Sequence, residues 1–275
     1  MVASRVPGPQ GTTGRPDFID EGTLARMANP VPTSLGIAAN AFAGSTMPML
    51  APIEMPALPT VSAKPAAQET ASADPVPLTA IDNDTRMLAA TAYGEGSLKN
   101  VFEEMAAIAN VLVRQQKARG YASAAAFIKA DKSFAFAAHD GNERYARLMA
   151  ATLDEINLDA GMRAAVRGAS NALANDPHDY SNGAYFWDGA DIKTNYPNHA
   201  KVLGGIHISK PEHNIYNIKD KEVPDEAFWI DAKGNKGKSR GKWRYKYDST
   251  AAWGGTIFWK YNADFLKASG NKVYK

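Results

Sequence analysis

Apolar positions recur at helical spacing between residues 83 and 174, and the period shortens after residue 183. Asn83 or Asp84 can cap a first helix that runs through Arg86, Met87, Leu88 and Ala92, with Glu95 closing it or lying just beyond. Val101, Met105, Ile108, Val111 and Leu112 follow at three- and four-residue intervals and predict a second helix. Residues 121–129 predict a short third helix with Ser123 as its cap. Two more are predicted over 144–153 and 159–174, the latter with Met162, Val166, Ala169 and Leu173 on one face.

Beyond Gly183 the runs become short, aromatic and β-prone. Ala184-Tyr-Phe-Trp187, Asn214-Ile-Tyr216, Ala227-Phe-Trp-Ile230, Lys242-Trp-Arg-Tyr-Lys-Tyr247 and Thr256-Ile-Phe-Trp-Lys-Tyr261 read as strands. Helices first and strands later give an α+β class: a mainly helical domain followed by an aromatic-rich, β-containing C-terminal part. All 5 tryptophans lie in that later part. No internal repeat is visible.

Composition changes near residue 80. Twelve of the 16 prolines fall in residues 1–80, which lack Trp and Tyr. Such a segment buries too little apolar surface to offset its ordering entropy, so 1–80 reads as a largely extended Pro/Ala-rich leader or linker. The remainder, 81–275, reads as one folded domain, divided into a core over 81–208 and a β-rich extension over 209–275.

A net charge of +2 sets up no global field toward nucleic acid, and none is expected as a partner. The absence of Cys excludes disulfides, thiolate metal sites and a cysteine nucleophile. No run of about 18 apolar residues predicts a membrane span. The most apolar stretch, residues 35–53, is broken by Asn40, Ser45, Thr46, Pro48 and Pro52, and it does not read as a secretory signal.

Ala92-Tyr-Gly-Glu-Gly96 places a carboxylate between two glycines at the end of an alanine-rich helix. Glycine on each side lets neighbouring backbone approach closely, and apolar surroundings favour a protonated carboxyl. Both suit a proton donor in a cleft.

Further segments accompany this one in order. They are Leu88-Ala-Ala-Thr-Ala-Tyr-Gly-Glu95, Met105-Ala-Ala-Ile-Ala-Asn-Val-Leu-Val-Arg114, Lys132-Ser-Phe-Ala-Phe136, Asn171-Ala-Leu-Ala-Asn-Asp-Pro177 and Asn182-Gly-Ala-Tyr-Phe-Trp187. Across residues 84–208 this series resembles the SleB/CwlJ type of cell-wall hydrolase. The resemblance implies a lysozyme-like scaffold that cleaves peptidoglycan glycan strands, at the bond between N-acetylmuramic acid and N-acetylglucosamine. It puts the catalytic acid at Glu95. The family usually carries a second Glu four residues later, where this chain has Lys99. With one principal carboxylate, lytic transglycosylation is the expected reaction, because the sugar's own 6-hydroxyl can replace water as nucleophile. Hydrolysis remains open, with Glu103, Glu104 and Asp140 as auxiliary carboxylates. Met105 and Ile108 define the buried face of their helix and put Glu103 and Glu104 toward solvent.

A pyranose also needs an aromatic platform and hydrogen-bonding groups. Tyr93, Tyr185 and Trp187, with Ser133 and Asp140, are the expected substrate-binding residues; strand alternation turns Tyr185 and Trp187 one way and Phe186 the other. The 5 histidines match no helical zinc motif, so no metal and no cofactor is expected; a zinc amidase acting through His207 and His213 is the weaker enzyme alternative. Seven cations and no carboxylate lie in 233–246, interleaved with Trp243 and Tyr245. They read as a solvated hairpin or as a surface for an anionic polymer. The expected partner is peptidoglycan. Delivery to the periplasm or wall would use a secretion machine or phage particle, and an antibacterial effector of this kind calls for an immunity protein. The alternative from another class is a structural or adaptor protein of such a particle that lacks activity.

Overall fold

The computed structural model describes residues 77–132 and 134–274. The leader predicted over 1–80 lies, apart from its last four residues, outside the described residues, and so does Ser133. Leu78 is already tied down: its N–H donates to Asn157 Oδ1 at 2.9 Å, and its carbonyl accepts from Asn157 Nδ2 at 3.0 Å.

Six helices come first: α1 (Asn83–Glu95), α2 (Phe102–Ala118), α3 (Ala124–Ala130), α4 (Glu143–Ala150), α5 (Leu153–Leu158) and α6 (Ala160–Leu173). The cap of α1 is Asp82, whose Oδ1 accepts from Thr85 N–H at 2.7 Å, and not Asn83 or Asp84. Asp84 instead receives the N–H groups of Ala124 and Ala125 at the start of α3, which Ser123 caps as the pattern predicts. The single helix predicted over 144–153 is interrupted, because Thr152 and Glu155 form a capping box that starts α5. Asp159 caps α6.

α1 touches α2, α3, α4 and α6 and is buried along most of its length. Its alanines permit that close approach. Where α6 meets α2, Gly168 leaves no room for a Cβ, which would fall 2.9 Å from Ala106 Cα. Leu88, Met105, Ile108, Leu112, Phe127 and Leu148 fill the centre of this helical core.

The second half contributes β1 (Phe186–Asp188), α7 (Asp191–Thr194), α8 (Ala200–Gly204), β2 (Ile206–His207), β3 (Asp225–Ile230), β4 (Lys236–Trp243), β5 (Tyr247–Trp253), β6 (Thr256–Tyr261) and α9 (Ala263–Ser269). One sheet has the order β1-β6-β5-β2, antiparallel except for the parallel β2–β5 pair; β3 and β4 form a separate antiparallel hairpin. The α+β class is therefore present, with helices leading.

β6 shows how the sheet joins two cores. Phe258 enters the helical core, while Ile257, Trp259 and Tyr261 enter a second cluster with Ile192, Val202 and Ile206. β1 does the same: Trp187 packs toward the helices and Phe186 toward the second cluster.

Three sequence-based expectations differ from the structure. Asn214-Ile-Tyr216 is a turn, in which the Asn214 amide bonds both the N–H and the carbonyl of Ile218. The run from Lys242 to Tyr247 is split, since β4 ends at Trp243 and β5 begins at Tyr247 in another sheet. The boundary expected at residue 208 falls within one sheet, because β1 pairs with β6 and β2 with β5, and Ile206 of β2 also bridges Lys221. Among the described residues, no helix is long and apolar enough to cross a membrane.

Candidate functional site

Glu95 is the last residue of α1 and is half-buried. Its Oε1 accepts the Ala137 N–H at 2.7 Å, from the short 3-10 turn Phe136–Ala138. The flanking glycines have a steric reason. A Cβ on Gly94 would lie 2.7 Å from Ala137 Cβ, and one on Gly96 would lie 3.0 Å from the Ala92 carbonyl oxygen. The turn that donates to Glu95 can thus approach α1 only across Gly94. Asn142 adds a second tie, donating from Nδ2 to the Gly94 carbonyl at 3.2 Å while its Oδ1 caps α4.

Arg144 holds the loop that follows. It donates to the carbonyls of Gly96 and Ser97, both at 2.9 Å, and to Asn100 Oδ1 at 2.6 Å, and its guanidinium lies 4.0 Å from the Tyr93 ring centre. Tyr93 was expected to present its ring to a sugar. It is instead 4% exposed, in the helical core beneath Arg144, so a stacking platform has to come from elsewhere.

Glu104 corrects a second expectation. It does not face solvent: it is fully buried and accepts three hydrogen bonds, from Ser97 Oγ at 2.6 Å, Gly255 N–H at 2.9 Å and Thr256 Oγ1 at 2.8 Å. The carboxylate therefore fastens the β5–β6 turn to the loop after Glu95. Its oxygens are engaged by those three donors, which ties the two loops together. Glu103 is half-buried.

The other expected site residues fall around the same loops. Asp140 is exposed and accepts the Asn142 N–H at 3.1 Å, in the turn that leads to the Gly94 contact. Trp187 is half-buried and packs edge-on against Phe134, 5.1 Å between ring centres. The segment 134–142 thus touches Trp187 near one end and Glu95 further along. Tyr185 lies under the Arg114 guanidinium, 5.5 Å from its ring centre. Arg114 itself bonds Asp179 at 2.5 Å and Ser181 at 3.1 Å, which fixes the turn leading into β1.

No family model, curated protein or solved structure matches this chain.

Sequence reasoning missed one cluster. Asp188 in β1, Asp191 in α7 and His199 before α8 bring ligand-type atoms within 4.8 Å of one another. They could hold a divalent cation, but the charges are already balanced by the protein. His199 Nε2 lies 3.4 Å from Asp188 Oδ1 and 3.3 Å from Asp191 Oδ2, and Lys201 Nζ lies 2.9 Å from Asp188 Oδ1. Burial opposes a charge on His199, yet the hydrogen bonds to Asp188 and Asp191 outweigh it and push its pKa up to about 9. The histidines of the amidase alternative have other partners: His207 bonds Asp220 at 2.8 Å, and His213 bonds Ser249 Oγ at 2.9 Å. An open depression of about 490 Å³ lies at the base of the β3–β4 hairpin between Glu226, Trp243 and Asp264, and no expected site residue lines it.

Proposed function

We propose that the protein cleaves peptidoglycan glycan strands, with Glu95 as the acid of a lytic transglycosylase on a lysozyme-like scaffold. The observation that carries this reading is the placing of Glu95. A half-buried carboxyl at a helix end is oriented by the Ala137 N–H across a glycine that admits no side chain. Asp140 and Trp187 border the same 134–142 segment and supply polar and aromatic surface for a sugar.

In the proposed reaction, Glu95 donates its proton to the glycosidic oxygen as the bond from the muramic C1 breaks. The carboxylate then takes the proton of the C6 hydroxyl as that oxygen bonds C1. The products are a 1,6-anhydro end and a free hydroxyl on the leaving sugar, with no water consumed. Proton transfer of this kind contributes roughly 100- to 10,000-fold in rate. The commitment of Glu104 to three protein donors, and the exposed Lys99, support a mechanism with one principal carboxylate. Delivery to the wall as an effector or particle-borne lysin, with a matching immunity protein, belongs to the same proposal.

The test is digestion of isolated peptidoglycan by wild type and by Glu95→Gln, with mass analysis of the released muropeptides. Anhydro ends released by wild type alone are the expected result, and reducing ends would indicate hydrolysis. Release of nothing by folded wild type would sink the enzyme reading and leave a particle protein without activity, which Lys99 in place of a second glutamate favours. Stem-peptide cleavage that EDTA abolishes would indicate the amidase.

A further inference from the structure

The β3–β4 hairpin carries a surface that glycan cleavage does not use. Every residue from 229 to 239 is exposed, so the end of this two-stranded ribbon is bare on both faces. At that end Trp229 is 60% exposed and Ile230 58%, at successive positions of β3. Large apolar side chains left in water at adjacent positions are an unfavourable arrangement unless another phase receives them.

Apart from Asp231, the charges around them at the tip are positive. Lys242 pairs with Glu226 at 3.6 Å and Arg244 with Glu222 at 3.1 Å, which neutralises the base of the ribbon. Lys233, Lys236, Lys238 and Arg240 pair with no carboxylate among the described residues. The acidic residue at the tip, Asp231, is used to build the turn: it accepts the N–H groups of Lys233 and Asn235, both at 2.8 Å. The cations stand beside the rings. Arg240 lies 4.7 Å from the Trp229 ring centre and Lys236 lies 5.1 Å from that of Phe228.

We infer that this tip is an anchor for an anionic phospholipid surface. Trp229 and Ile230 enter the headgroup–acyl boundary, and Lys233, Lys236, Lys238 and Arg240 lie against the phosphates. A tip bare on both faces suits insertion into a fluid phase, which closes around it. A protein groove or a flat polymer would cover one side only. Indole and guanidinium together match the interfacial preference of aromatic residues, and unpaired lysines match a negative surface. An anionic polymer or nucleic acid would use the cations but has no use for Ile230.

The test uses the full chain with vesicles of phosphatidylglycerol and phosphatidylcholine, with pure phosphatidylcholine vesicles, and with acyl chains brominated near the headgroup. The expected result is co-sedimentation with the anionic vesicles, bromine quenching of tryptophan emission, and at least about tenfold weaker binding to the neutral ones. A Trp229→Ser, Ile230→Ser variant keeps every charge and should bind at least about tenfold more weakly, with the quenching lost. Both positions are exposed, and circular dichroism and the unfolding midpoint would show that the variant is folded. Absence of vesicle binding would overturn the inference. So would binding that the double variant retains in full, or binding to heparin or nucleic acid with none to vesicles. None of these readings depends on Glu95, so Glu95→Gln should bind vesicles as wild type does.

Discussion

Gly254 and Glu104 compete for one space. A Cβ on residue 254 would lie 2.2 Å from Glu104 Oε2, and the backbone there has φ +59°. The glycine is what lets the β5–β6 turn close over a buried carboxylate. Gly254→Ala should therefore destabilise the fold by roughly 2–4 kcal/mol, combining a left-handed non-glycine with overpacking. Glu104→Ala should cost about 3 kcal/mol by stranding the three donors. Urea unfolding midpoints would check both, and values within error of wild type would refute the role given to Glu104.

Gly94 offers a control within the same protein. Gly94→Ala pushes against Ala137 at 2.7 Å and should displace the N–H that orients Glu95. The expected outcome is a loss of about 1–3 kcal/mol in stability together with at least a tenfold fall in the proposed glycan cleavage. Gly120→Ala is strained by φ +76° but meets nothing within 4 Å, so it should cost stability without touching cleavage. Parallel activity and unfolding measurements on the two variants would separate the effects.

Arg144 should matter more than its position on a short helix suggests. Arg144→Ala removes the donors to Gly96, Ser97 and Asn100, at about 1.5–3 kcal/mol in total after allowance for partial exposure. Limited proteolysis should then cut near Leu98–Lys99, a bond expected to be slow to cleave in wild type. Arg144→Lys should rescue little, because an ammonium cannot span the carbonyl pair and Asn100 as the planar fork does.

The pH dependence of stability follows from His199. Its folded pKa of about 9 lies above the ordinary 6.5, so the folded state binds the proton more tightly. The network with Asp188, Asp191 and Lys201 thus contributes fully below about pH 6.5, and the contribution fades as pH rises through about 9. The shift corresponds to about 3 kcal/mol. Unfolding midpoints measured from pH 6 to 10 should fall for wild type, and the fall should flatten in His199→Asn. Equal slopes in the two proteins would show that His199 is not the group concerned.

Local signals in the sequence account for much of the fold. Ser123 and Asp159 cap the helices they precede, and Met105, Ile108, Val111 and Leu112 line the buried face that their spacing predicts. Glu104 could not be placed that way. Two of its three partners lie 151 and 152 residues later, and a helical period says nothing about a turn that arrives from the other end of the chain. β5 carries no local signal for a related reason: Ser249, Thr250 and Ala251 are small, and their burial comes from the sheet and not from aromatic content. At the candidate site, Glu95 between glycines was visible locally. The Ala137 N–H, the Arg144 clamp and the burial of Tyr93 all depend on how α1 meets the 136–144 segment. The cluster at Asp188, Asp191 and His199 joins a strand and two short helical segments that carried no periodic signal.

The strand order has a consequence for synthesis. Among the described residues β1 pairs with β6 and β2 with β5, and Ile206 of β2 also bridges Lys221, so a chain translated up to residue 246 leaves the β6 side of β1 and the β5 side of β2 open. The helical half can collect its own core as it emerges. The sheet must wait for the last hairpin, and until then the ribosome holds a chain with unsatisfied backbone beside exposed Phe186 and Trp187. A premature stop shortly before Tyr247 should therefore yield an aggregating fragment, whereas a chain that runs on through α9, whose Phe265 and Leu266 pack on the second cluster, should fold.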